Sequence, residues 1–160
     1  MSRRAAIVTT LTIVGFTVVL DQATKWWAES ALDDGRVIEL LPTLELDLVY
    51  NSGFSFGTGA GLGPMIGLLV VVLIGVLAHQ IWRSDDPVRI RILAVILGGA
   101  IGNLLDRVAR ADDGLLSGEV IDFIDVTWYA VFNVADIFVV CGCLAFVAHE
   151  LWQHRGESVS

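Results

Sequence analysis

Four stretches of this chain carry no Asp, Glu, Lys or Arg: residues 5–20, 48–82, 92–105 and 137–149. A helix rises 1.5 Å per residue, so crossing a hydrocarbon core of ~30 Å takes about 20 apolar residues. The second run has room for a loop and then a helix over 64–82, with Pro64 suited to a first turn. The others are too short unless each helix continues past its nearest acid. That would carry Asp21, Asp106 and Asp136 to the membrane boundary or just inside it, where carboxylates are costly and suspected of function. Buried helices of a soluble protein are the competing explanation. A charged share of 18% and a mean hydropathy of +0.71 over 160 residues oppose it, because a soluble domain carries about 25% charged residues.

The expected fold is therefore a single all-α integral membrane domain with four transmembrane helices, about 5–27, 64–82, 90–108 and 132–152. The residues around Ser2-Arg3-Arg4 also fit a signal peptide. No small-x-small site precedes Asp21 and three more spans follow, so the first span is expected to stay. Between spans lie two segments, about 28–63 and 109–131. The first holds a strand-like piece at 37–41, then Pro42, then the alternating Leu44-Glu45-Leu46-Asp47-Leu48, which reads as a small β-sheet or hairpin on the membrane. The second reads as a short loop or helix. Gly57, Gly59, Gly61 and Gly63 read as a flexible lead-in to the second span.

Basic residues set orientation. With both termini in the cytoplasm, six bases face four acids inside, and four bases face fourteen acids outside, a split of +2 against −10. Trp26, Trp27 and Trp128 then fall at the outer interface, and Trp82 and Trp152 at the inner one. The overall charge of −8 argues against a nucleic-acid partner. Cys141 and Cys143 stand two apart on a helix, point away from each other, and read as unpaired packing residues.

In this topology Asp21, Lys25, Asn51, Asn103, Asp106, Arg107, Asp122, Asn133 and Asp136 all gather at the outer face. Asn103-x-x-Asp106 and Asn133-x-x-Asp136 repeat one spacing, which places an amide and a carboxylate on one helical face. Helix ends need polar partners, so a single such pair reads as structural; two pairs at one depth read as a site. His79, His149 and His154 fall elsewhere, so no metal or cofactor is expected and a His-based nucleophile fails. Ser52 or Ser55 with Lys25 is a lesser possibility. Two carboxylates close together cannot both ionise easily, so one draws a proton from water while the other donates to a carbonyl. On the residues alone, Asp106 and Asp122 are equal candidates to partner Asp136.

Five blocks resemble signal peptidase II, the bacterial lipoprotein signal peptidase family. They are Asp21-Gln22-Ala23-Thr24-Lys25, Asn51-Ser52-Gly53-Phe54-Ser55-Phe56, Gly98 to Arg107, Val120-Ile121-Asp122-Phe123 and Phe132-Asn133-Val134-Ala135-Asp136, in the family's order. The resemblance implies an aspartic endopeptidase of the bacterial cytoplasmic membrane that cuts a signal peptide before a diacylglyceryl-modified cysteine. It implies Asp122 and Asp136 as catalytic residues and Asn51, Asn103, Arg107 and Asn133 as site-lining residues, with Asp21 and Lys25 more loosely so; Asp106 is expected to support the site. It also implies inhibition by globomycin, contact with membrane lipid, and no cofactor. Residues 109–118 look like an insertion relative to the family. Asp106 is followed by Arg107, which is expected to hold it as a structural acid. Gly98-x-x-x-Gly102 is expected to draw its helix against another span of the same chain, leaving a monomer. Two other readings stay open: a small transporter or ion-coupling subunit using intramembrane acids, and an assembly factor whose acids are structural.

Overall fold

The third helix is the axis around which the molecule is built. The structure is a computed structural model that describes residues 1–53, 63–112 and 114–157. Its elements are helices α1 (Arg3–Leu32), α2 (Gly63–Arg83), α3 (Pro87–Ala109) and α4 (Val134–Glu157), and strands β1 (Ile38–Leu41), β2 (Leu44–Asn51) and β3 (Val120–Asp125). All four helices are long and apolar enough to cross a membrane. α3 packs against each of the other three and is half buried, whereas the others leave most of their apolar surface facing outward.

Small residues let α3 take that central place. A Cβ on Gly98 would sit 2.7 Å from Thr17 Cβ, and one on Gly102 would collide with the Asp21 carboxylate, so this pair seats α3 on α1 within the chain as expected. Gly99, on an adjoining face, lies equally close to α4: its Cβ would meet Ala135 O at 2.6 Å. Gly142 plays the same part from α4 against Ile96. The two cysteines that flank it are free and exposed. Their expected role in packing is thus corrected: the glycine between them makes the close contact, and both cysteines stay exposed, Cys141 on the cavity wall.

α1 is longer than a span requires. Its buried residues Thr17, Asp21, Lys25, Ala28 and Leu32 form one stripe at spacings of three and four. The last two of these lie beyond the polar cluster and carry the sheet, packing against Ile121 and Phe123. The sheet is antiparallel in the order β1-β2-β3. β1 and β2 form the expected hairpin. The 109–131 segment differs from the expected loop or helix by contributing β3. This strand is buried on both faces over Val120-Ile121-Asp122-Phe123, so its sequence lacks the alternation of a half-exposed strand.

Candidate active site

The pleat of β3 sorts its residues. Ile121 and Phe123 turn toward α1, while Val120 and Asp122 turn the other way, into a cavity of about 760 Å3. In the register, Asn51 opposes Val120 and Val49 opposes Asp122, so Asn51 and Asp122 are diagonal neighbours on one face. Asn51 Nδ2 accordingly donates to Asp122 Oδ2 at 2.9 Å.

Asp136 enters the same cavity from the first turn of α4. That helix begins with a reciprocal cap. The Asp136 N–H donates to Asn133 Oδ1 at 3.0 Å, and the Asn133 N–H donates to Asp136 Oδ2 at 3.1 Å. The Asn133-x-x-Asp136 spacing therefore marks a helix start, not the shared helical face expected from its match to Asn103-x-x-Asp106. With its Oδ1 committed to the cap, the Asn133 amide nitrogen faces the site and donates to Asp122 Oδ1 at 2.7 Å and to Asn103 Oδ1 at 3.0 Å. Asn103 Nδ2 donates to Asp136 Oδ1 at 2.9 Å.

Behind this layer lies a buried ion cluster. Lys25 Nζ reaches Asp21 Oδ2 at 2.9 Å, Asp106 Oδ2 at 2.8 Å and Asn103 Oδ1 at 2.8 Å, which engages all three ammonium protons. Asp21 Oδ1 also accepts the Ala135 N–H at 3.0 Å, and Asp106 Oδ2 accepts the Ile121 N–H at 3.3 Å. The cluster thus ties α1, α3, α4 and β3 together. Gln22, which the sequence reading left without a role, bridges Asp21, Asp106 and Gly102 O. Lys25 is spent on this cluster and is no partner for Ser52; Ser55 lies outside the described residues.

Two expectations change here. Asp106 is held by Lys25, not by its neighbour Arg107. Arg107 turns away to donate to Gly118 O at 3.3 Å and Gly53 O at 3.4 Å, and it lines the cavity. Asp21, Lys25 and Asp106 are buried behind the cavity and do not line it, so they support the site and do not touch what binds in it.

Electrostatics separates the two cavity carboxylates from an ordinary surface pair. Burial pushes the Asp122 carboxyl up to about 6; the Asn51 and Asn133 donors oppose the rise and the charge of Asp136 adds to it. Beyond Asn51, Asn103 and Arg107 the cavity wall is mostly apolar: Ile66 and Val70 from α2, Ile137 and Val140 from α4, and Trp128, Tyr129 and Phe132 from the segment before α4. The aromatic wall was missed: Trp128 read as an interfacial anchor, and nothing in the sequence set Tyr129 or Phe132 apart as cavity residues. The arrangement presents two acids, one of them holding its proton more tightly than an ordinary carboxyl, at the head of an apolar trough. That suits acid–base hydrolysis of a bond in an oily substrate.

Comparison with known proteins agrees. Residues 13–152 match the family model described as signal peptidase (SPase) II. A protein of Bifidobacterium adolescentis named lipoprotein signal peptidase is 42% identical over 144 residues, covering 89% of this chain and 74% of that one. Namesakes from Hydrogenovibrio crunogenus and Brucella ovis are 36% and 35% identical, over 92% and 99% of this chain and 88% and 99% of theirs. A solved structure described as a bacterial membrane enzyme superposes with a TM-score of 0.79 at 25% identity, covering 92% of this chain and 90% of that one. A second so described gives 0.77 at 26% identity, covering 91% and 94%.

Proposed function

The chain belongs to the signal peptidase II family of membrane peptidases, and on that premise we propose that Asp122 and Asp136 are its catalytic dyad. The substrate proposed is a prolipoprotein signal peptide, cut before a cysteine that carries diacylglycerol. One observation carries the assignment: β3 and α4 bring both carboxylates into one cavity, joined through Asn133.

The reaction follows from that geometry. The pair works with one proton between its two carboxyl groups. The ionised member takes a proton from a water molecule as that water adds to the scissile carbonyl carbon. The protonated member gives its proton to the carbonyl oxygen. Collapse of the resulting diol breaks the C–N bond: the proton taken from water passes to the departing amine, and a diol hydroxyl returns a proton to the other carboxylate, which restores the starting state. Asn51, Asn103 and Asn133 hold the acids in place, and the apolar trough receives the acyl chains and the end of the signal helix.

The proposed setting is the bacterial cytoplasmic membrane, with both termini in the cytoplasm, the site at the extracytoplasmic face and the chain acting as a monomer. The excess of bases at the opposite ends of the helices supports this orientation. The transporter reading has no support, since the relatives are named as peptidases. The test is purified protein in detergent with a lipid-modified precursor. Expected is a product whose first residue is the lipidated cysteine, and its loss with globomycin; an uncut precursor contradicts the proposal.

A further inference from the structure

We propose that Leu116 and Gly67 are positioning residues that set the width of the cavity by bracing α2 against the loop before β3. Leu116 is the one non-glycine residue among those described with a positive φ, at 66°. Such a conformation is uncommon for a branched side chain and persists where surroundings over-determine it. The surroundings here are α2. A Cβ on Gly67 would lie 2.5 Å from Leu116 Cβ and 3.2 Å from Leu116 O, so the leucine fills a notch that only glycine leaves open. One turn earlier, a Cβ on Gly63 would meet Ser117 O at 3.3 Å. The loop is fastened at its other end, where the Gly118 N–H donates to Arg107 O at 3.1 Å and Arg107 Nη1 donates back to Gly118 O.

The contact matters because of what α2 does. Among the helices and strands, its substantial packing is against α3 alone. Yet it supplies Ile66 and Val70 to the cavity, on the turns beside Gly63 and Gly67. The loop of 114–118, with Ser52 beside it at Gly63, therefore supplies sideways support to α2 near the cavity. Asp122 and Asp136 stand on β3 and α4, so a displaced α2 changes the trough and leaves the acids in place.

The inference rests on the trough being the substrate site, so cleavage of the lipid-modified precursor by the unaltered protein is established first; its failure counts against the substrate and not the brace. Expected is that Gly67→Ala raises KM for that precursor about fivefold or more, with kcat within twofold. Leu116→Gly, which adds no atom and relieves the positive φ, raises KM in the same way. The double variant, with the methyl group moved to the other side of the notch, returns KM toward the starting value. Should Gly67→Ala fail to fold, Leu116→Gly carries the test. An unchanged KM in the single variants, a loss confined to kcat, or a double variant worse than either single overturns the proposal.

Discussion

Asn133 donates its side-chain amide to Asp122 at 2.7 Å while its backbone N–H donates to Asp136 at 3.1 Å. One residue thus touches both acids, and its conformation is set by the start of α4. Cap and site are separable by substitution. Serine keeps a side-chain oxygen for the Asp136 N–H but has no amide to offer Asp122. Asn133→Ser should preserve thermal stability and lower kcat by about 100-fold. Asn133→Ala should lose as much activity and, in addition, about 1 kcal/mol of stability, read by thermal unfolding in detergent.

Among the described residues Lys25 is the only cation bonded to Asp21 and Asp106, and its third proton holds the oxygen of Asn103 so that the amide nitrogen faces Asp136. Lys25→Met leaves two buried carboxylates without a countercharge, a loss of about 3–5 kcal/mol. The expected outcome is a sharp fall in the yield of folded protein. Adding Asp21→Asn removes one of the stranded charges and should recover part of that yield.

The carboxyl of Asp122 is pushed up to about 6, chiefly by burial. If the pair acts with one proton, kcat/KM falls as pH rises through that region and the proton is lost. Asn51 donates to the ionised form. Asn51→Ala removes that stabilisation, so the alkaline limb of the kcat/KM profile should move to higher pH. A limb that stays in place would belong to another group.

The same shift has a consequence for stability, with a definite sign. A carboxyl that holds its proton more tightly when folded than when unfolded destabilises the fold wherever it is ionised. The cost is full above about 6 and vanishes below the ordinary carboxyl value of 3.8. Asp122→Asn should therefore melt several degrees above the parent at pH 8 and level with it near pH 4.

The four spans were legible because uncharged runs and flanking acids are one-dimensional signals, and so was the β1–β2 hairpin through its period-two alternation. β3 was not, because both of its faces are buried and its apolar residues do not alternate. The polar cluster could be named residue by residue, yet its layering could not. Nothing in the order of residues says that Lys25 binds Asp106 while Arg107 turns to Gly118 and Gly53, since neighbours on a helix diverge and their partners come from other elements. Asn133-x-x-Asp136 did carry a local signal, that of a helix cap, which its resemblance to Asn103-x-x-Asp106 obscured.

The central claim, that Asp122 and Asp136 act as one catalytic unit, is tested most directly by single-turnover cleavage of a lipid-modified precursor by Asp122→Asn, Asp136→Asn and the double variant, each first shown to unfold cooperatively. Acids that act together do not lose activity additively. The account predicts a fall of about 1,000-fold or more in either single variant and no further fall in the double. Near-full cleavage by either folded single variant would contradict it.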